Sequence, residues 1–379
     1  MLDPIGGFTR IRDFFVSYIE TSFRIADDET ARERRSLLTT PDVLTTEPFV
    51  EPVLRYRANA QKLEDLIGSE TLAPLSDPAQ TAFVELALSG LFDGADSGRP
   101  LRRKSLFAPY THQVRMLERG IRPGQPCIVT SGTGSGKTES FMLPILASLA
   151  AEGVSWSAPA GDYLTHSWWR PGRSFNARKH QRTGEATSRP AAVRALILYP
   201  MNALVADQMV RLRKALDSDP ARATMDERFA GNRVFFGNYT GDTPVTGHSR
   251  HPRLFSNEIE KKRRQRRLAR LREAMATIEK DQEAARDHDL AMREEAEREG
   301  RAPPDPTRFI FPSTDGGEMV SRWDMQAAPP DILVTNASML GAMLSREVED
   351  PIFNKTRDWI VSDPNAYFYL VFDELCLSG

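Results

Sequence analysis

Few folds accommodate the run Thr130-Ser131-Gly132-Thr133-Gly134-Ser135-Gly136-Lys137-Thr138. It follows apolar Cys127-Ile128-Val129 and precedes Glu139-Ser140-Phe141-Met142-Leu143, a pattern that reads as strand, glycine-rich turn and helix start. That geometry suits a phosphate chain. Glycines let the backbone approach closely, N–H groups of the turn point inward, and the helix N-terminus adds partial positive charge. In such a loop Lys137 reaches the β- and γ-phosphates, and the Thr138 hydroxyl takes a place on Mg²⁺. Ser131 stands at the first position of the strict G-x-x-x-x-G-K-[ST] pattern, so the chain meets the looser form that begins with a small residue. A nucleoside triphosphate is the expected ligand, rather than the loop being a plain Gly/Ser linker.

The whole chain narrows the setting. At 379 residues it has room for two or three structural units. Lys and Arg number 50 against 52 Asp and Glu, so attraction to nucleic acid must come from local patches. Cys127 and Cys376 support neither a disulfide framework nor a zinc spacing, and the six histidines do not cluster. The N-terminus lacks a basic start followed by an apolar core. The longest apolar run, Phe141 to Ala151, is too short to span a bilayer and contains Pro144. A soluble cytoplasmic protein with no membrane partner is expected.

Residues 1–98 read as a helical N-terminal region. Phe8, Ile11, Phe15, Tyr18 and Ile19 recur at helical spacing, Pro41, Pro48 and Pro52 break the pattern, and Gln61–Ile67 and Thr81–Phe92 resume it. Gly94 to Pro100 is a turn-rich boundary before a nucleotide-binding unit over 99–379. Within that unit, strand-like runs at Cys127–Thr130, Ala195–Tyr199, Val234–Phe236, Ile332–Thr335 and Tyr367–Phe372 alternate with helical ones. Short apolar strands separated by helices predict an α/β fold, a parallel sheet covered on both faces. Residues 152–190 and 257–300 interrupt it. The second is a charged helix whose Leu268, Leu271, Met275 and Ile278 form a short heptad seam. At 1.5 Å per residue it is able to reach ~60 Å from the body.

An apolar strand, Tyr367 to Phe372, delivers Asp373 and Glu374. Paired acids opposite a glycine loop suit phosphate hydrolysis, with Asp373 holding Mg²⁺ through its water shell and Glu374 activating the attacking water. Gln113 in Pro109-Tyr110-Thr111-His112-Gln113 is placed to hydrogen-bond an adenine edge. Polar turns follow strands at Tyr199-Pro200-Met201-Asn202-Ala203 and Val334-Thr335-Asn336, the sheet edge where α/β folds bind ligands.

Together these segments resemble the first RecA-like lobe of superfamily 2 helicases of the DExH (DEAD/DEAH) type, over about 105–379. They look most like large bacterial helicases found among mobile-element and phage-defence genes. Leu2-Asp3-Pro4-Ile5 and Glu47-Pro48-Phe49-Val50-Glu51-Pro52 also look like the start of such proteins. The resemblance implies a P-loop NTPase fold, ATP and Mg²⁺ as cofactors, and hydrolysis coupled to nucleic-acid unwinding. It makes Ser131, Gly132, Thr133, Gly134, Ser135, Gly136, Lys137 and Thr138 the phosphate loop and Gln113 the adenine reader. Lys137, Asp373 and Glu374 become the catalytic residues, with Thr138 and Asp373 on the metal. Pro200, Asn202, Ala203, Thr240, Gly241, Thr335 and Asn336 would contact the backbone of one strand, a task that suits backbone N–H and small hydroxyl groups because phosphate contacts position a strand without reading it. The resemblance points to DNA ahead of RNA.

Two departures stand out. Cys376 occupies a position that is usually histidine, where a thiol is a poor substitute for imidazole's paired donor and acceptor. The chain also stops five residues after Glu374, short of the second lobe. That lobe would supply an arginine finger typically worth about 10³–10⁵ in rate. Slow ATPase activity alone is therefore expected, with a second lobe or defence-complex subunits as partners. The alternative is a non-catalytic, nucleotide-dependent nucleic-acid-binding adaptor.

Two charged segments leave their roles open. Lys261-Lys262-Arg263-Arg264-Gln265-Arg266-Arg267, with Arg270 and Arg272, puts eight cations into twelve residues near a helix N-terminus. That end is electrostatically unfavourable for cations, so either a phosphate backbone or the acidic half Glu294–Glu299 balances them. Trp168-Trp169-Arg170 either stacks unpaired bases or packs its loop onto a second lobe or the N-terminal helices.

Overall fold

The computed structural model of the protein describes residues 4–46, 55–97, 101–132, 134–159, 167–175, 189–250, 253 and 256–373. Leu2, Asp3, Glu47–Pro52, Thr133, Glu374 and Cys376 lie outside them. The chain divides into two compact units, Met1–Tyr56 and Arg57–Gly379. In the first, α1 (Pro4–Ser22) carries the apolar residues from Phe8 to Ile19, and α2 (Asp28–Thr39) follows. Asp27 caps α2 by accepting from the Thr30 N–H at 2.8 Å. The two helices are joined by Arg35 and Glu20 at 2.6 Å.

The second unit begins with α3 (Asp77–Ala87), then β1 (Gly94–Asp96), β2 (Arg103–Ser105), α4 (Thr111–Gly120) and α5 (Lys137–Gly153). Next come β3 (Ala195–Tyr199), α6 (Asn202–Asp217), α7 (Asp219–Arg228), β4 (Phe236–Tyr239) and α8 (Glu258–Glu299). It closes with α9 (Arg322–Ala327), β5 (Ile332–Asn336), α10 (Ala337–Leu344), α11 (Asp350–Ser362) and β6 (Tyr369–Phe372). The main sheet has the order β4-β5-β3-β6 with every pair parallel, so the predicted α/β architecture is present.

Alternation along the strands shows why helices cover both faces. Ala195, Ile197, Tyr199, Ile332 and Val334 join one apolar core with α3, α5 and α6. Leu196, Leu198 and Leu333 point the other way, into a second core with Met343 of α10 and Ile352 of α11. Such two-sided burial explains the unbroken apolar runs of β3 and β5.

Three expectations are corrected. Cys127–Thr130 is not a strand: it is irregular, and Ile128 is 88% exposed. An apolar run becomes a strand only by pairing, and among the described residues nothing pairs with it. β4 starts two residues later than Val234, because its ladder with β5 begins at Phe236 opposite Ile332, while the Phe235 N–H goes to the Asp331 carboxylate. The boundary around Gly94 contains an antiparallel pair, β1 with β2.

The long helix is also not a free arm. Asn257 caps its start, and Gly300, at φ +64°, ends it. Leu271 and Met275 pack with Trp168, Trp169 and Trp323 in a third apolar cluster. Trp169 Nε1 donates to Glu279 at 3.0 Å and Arg170 pairs with the same carboxylate at 2.8 Å, so the tryptophan loop is a docking element for α8. Farther along, Gln282 donates to the Phe311 carbonyl at 2.7 Å and Asp289 accepts from the Thr307 N–H at 2.7 Å.

A buried charge network fastens the strand β5 to the end of the 152–190 insertion. Asp331 is fully buried and takes the Arg189 guanidinium, Arg194 at 3.1 Å and the Phe235 N–H at 2.6 Å. Arg189 lies 3.6 Å over the Trp156 ring.

Candidate functional site

Parallel strands bring their C-terminal ends to one edge, and the polar turns predicted to bind ligands gather there. Asn336 Nδ2 donates to Asn202 Oδ1 at 2.7 Å, joining the turn after β3 to the turn after β5. Asn336 also caps α10 by accepting from the Met339 N–H at 2.7 Å. Asn202, Ala203 and Gly241 are exposed, and Pro200 and Asn336 are half-buried. Thr240 and Thr335 are buried instead. Thr335 donates its hydroxyl to the Tyr239 carbonyl, and the Thr240 N–H donates to Thr243 Oγ1 at 2.9 Å. These two threonines shape the turns from within the sheet.

The glycine loop enters α5 through Gly134 and Gly136, both at φ +73°, a conformation glycine adopts without the strain a side chain would bring. Ser131 Oγ and Ser135 Oγ are 2.6 Å apart across the loop. His112 Nε2 meets the Ser135 carbonyl at 2.9 Å. Helix α5 begins on Gly136, which has no side chain to cap its first-turn amides. Space beside Gly134 is open, so an anion has room against the loop.

Gln113 is 3% exposed and works within the protein. Its Oε1 accepts from the Tyr110 N–H at 2.7 Å, and its Nε2 donates to the Gly136 carbonyl at 3.2 Å. A carboxamide has two donors and two lone pairs on oxygen, so these two bonds use one of each.

Asp373 follows β6, and its N–H donates to the Leu198 carbonyl at 3.0 Å. Tyr199, overlooked in the sequence, stands between this acid and α6: its hydroxyl donates to Gln208 Oε1 at 3.0 Å and lies beside the Asp373 carboxylate. Burial, reinforced by Asp373, raises the Tyr199 hydroxyl far above its ordinary value and keeps it a neutral donor. Its place at the C-terminal end of β3 was the available signal. Glu139 and Arg211, also missed, pair at 3.4 Å across the α5–α6 gap.

A cleft of about 930 Å³ collects these parts, lined by Tyr110, Gln113, Gly134 to Thr138, Tyr199, Arg211 and Asp373. Among the described residues no group of three or more His, Cys, Asp or Glu can hold a metal. Thr138 and Asp373 both line this cleft, and their oxygens are the donor type that a hydrated Mg²⁺, which keeps several waters, takes from protein. Among the described residues no helix is long and apolar enough to cross a membrane.

Comparison with known proteins bears on this arrangement. Residues 110–234 match the DEAD/DEAH box helicase family. The chain is 29% identical over 374 residues to Druantia protein DruE of Escherichia coli (strain UMEA 4076-1), covering 94% of this chain but 18% of that protein. No solved structure matches.

Proposed function

Starting from a DEAD/DEAH box helicase domain, we propose that residues 99–379 form the ATP- and Mg²⁺-binding first lobe of a DExH-type helicase, with 1–98 as its helical N-terminal region. The observation that carries this reading is the shared cleft, in which the glycine loop, Lys137, Gln113 and Asp373 line one space. When bound, Mg²⁺ would supply charge neutralisation to the phosphate chain. The loop from Ser131 to Gly136 and the first turn of α5 hold the phosphate chain, and Lys137 binds its terminal oxygens. The Thr138 hydroxyl and Asp373 hold the ion, with Tyr199 orienting the carboxylate. Gln113 uses its remaining donor and acceptor on adenine. Glu374 takes the proton of the attacking water.

Pro200, Asn202, Ala203, Gly241 and Asn336 grip the backbone of one DNA strand, while Thr240 and Thr335 set the turns. A second lobe supplies the arginine that makes turnover fast, and the setting is bacterial phage defence. Titration with MgATP and with a single strand of about 12 nucleotides at about 50 mM salt tests the reading. Lys137→Ala is expected to weaken ATP binding at least about tenfold, equivalent to ~1.4 kcal/mol. Asn202→Ala with Asn336→Ala is expected to weaken strand binding and leave ATP affinity unchanged. Equal ATP binding by wild type and Lys137→Ala overturns the nucleotide site; loss of ATP binding with no strand binding by wild type overturns the helicase assignment.

A further inference from the structure

Helix α8 is docked by one side and carries an ordered row of cations on the other. Leu271, Met275, Gln282 and Ala285 are buried against the body. Lys262, Arg266 and Arg270 are exposed, four residues apart, and so lie along one outward line with about 6 Å between successive positions. Their neighbours are accounted for differently: Lys261 pairs with Glu258, Arg263 with Glu260, and Arg264 donates to the Ser249 carbonyl at 2.7 Å. Among the described residues none of the three has an ion pair. Like charges at i, i+4 weaken a helix, so local stability does not explain the row.

Position supplies the second observation. The segment after the Thr240-Gly241 turn runs against the first turns of α8. Trp323 Nε1 donates to the Gly247 carbonyl at 3.0 Å, Val245 packs on the cluster containing Leu268 and Leu271, and Arg264 holds Ser249. The cationic end of the helix therefore sits against the segment that follows the turn after β4, while the acidic end from Glu294 lies ~36 Å or more away along the axis.

We propose that Lys262, Arg266 and Arg270 form a second nucleic-acid site, which binds the phosphate backbone of double-stranded DNA next to the single-strand turns. The duplex is favoured over a single strand because no exposed aromatic interleaves the row. The nearby tryptophans face inward, so among the described residues unpaired bases would find no exposed ring to stack on. An acidic protein partner is disfavoured by the polar and small neighbours Gln265, Ala269 and Glu273, since protein interfaces need apolar or aromatic anchors. A straight, rigid row of charges contacting phosphates alone matches sequence-independent duplex binding.

The site extends the function proposed above and does not use the nucleotide cleft, so the two fail separately. The test is anisotropy with a blunt duplex of about 20 base pairs and, in parallel, the short single strand, between about 50 and 200 mM salt. The triple variant Lys262→Gln, Arg266→Gln, Arg270→Gln is expected to weaken duplex binding at least tenfold at low salt and to lower the log–log salt slope by about 2.7, the value for three phosphate contacts. Single-strand and ATP binding are expected to stay within twofold of wild type. Glu273→Arg lengthens the row by one turn and is expected to tighten duplex binding, which keeps the test decisive even if the triple variant folds poorly. An unchanged duplex affinity and slope in the triple variant overturns the proposal. So does an effect confined to the single strand, or the absence of any gain from Glu273→Arg.

Discussion

Gly136→Ala separates backbone strain from side-chain conflict at the phosphate loop. Two costs follow from the geometry. At φ +73° an L-residue pays roughly 1–2 kcal/mol for the left-handed conformation. The new Cβ would also overlap Gln113 Nε2, forcing the carboxamide away and breaking its bond to the Gly136 carbonyl, about 0.5–1.5 kcal/mol more. The total is about 1.5–3.5 kcal/mol. In a Gln113→Ala background that conflict disappears and only the movable end of Glu139 remains close, at 3.1 Å, so the same substitution is expected to cost mainly the left-handed strain, about 1–2 kcal/mol. Urea unfolding of the four proteins of this cycle measures the coupling, which is expected at about 0.5–1.5 kcal/mol. Equal costs in both backgrounds, within about 0.3–0.5 kcal/mol, would refute the claim that Gln113 buttresses the loop.

Asp331→Asn removes the charge that balances buried Arg189 and is expected to cost about 3–5 kcal/mol by urea unfolding, with Arg189→Met added on top recovering part of the loss. A cost under about 1 kcal/mol would rule out an essential pairing. For Asp315, burial alone would raise the carboxyl, but Arg222, Ser313 and Arg286 together hold it well below the ordinary range. Its folded value is depressed, so its stabilising contribution is complete above the unfolded value of about 3.9 and fades as pH falls below it. The urea midpoint of wild type is thus expected to drop more steeply below about pH 4 than that of Asp315→Asn, and parallel acid limbs would exclude this role.

What the sequence disclosed followed from local chemistry, and what it hid depended on distant partners. The buried runs at Ala195–Tyr199 and Ile332–Asn336 were readable because two-sided burial leaves no polar alternation. The same rule failed at Cys127–Thr130, where an apolar run has no described neighbour to pair with. Trp168 and Trp169 were ambiguous because the helix they dock lies more than a hundred residues on. Position suggested Gln113 as a base reader, whereas its bond to the Gly136 carbonyl was not legible, since it depends on how α4 meets the loop. Asp331 with Arg189 and Arg194 looked like ordinary charges, since only the folded chain gathers them.

Strand order also sets a timetable for synthesis. β5 lies between β3 and β4, yet it is translated after both, with all of α8 in between. At about 5–20 residues per second, some 5–20 s pass between completion of Tyr239 and of its neighbour Thr335. Until then β3 and β4 have no strand to join them and expose bare edges and apolar side chains to the ribosome's surroundings. The emerging chain therefore has a built-in interval of vulnerability, during which a chaperone that shields apolar segments would raise the yield of folded protein.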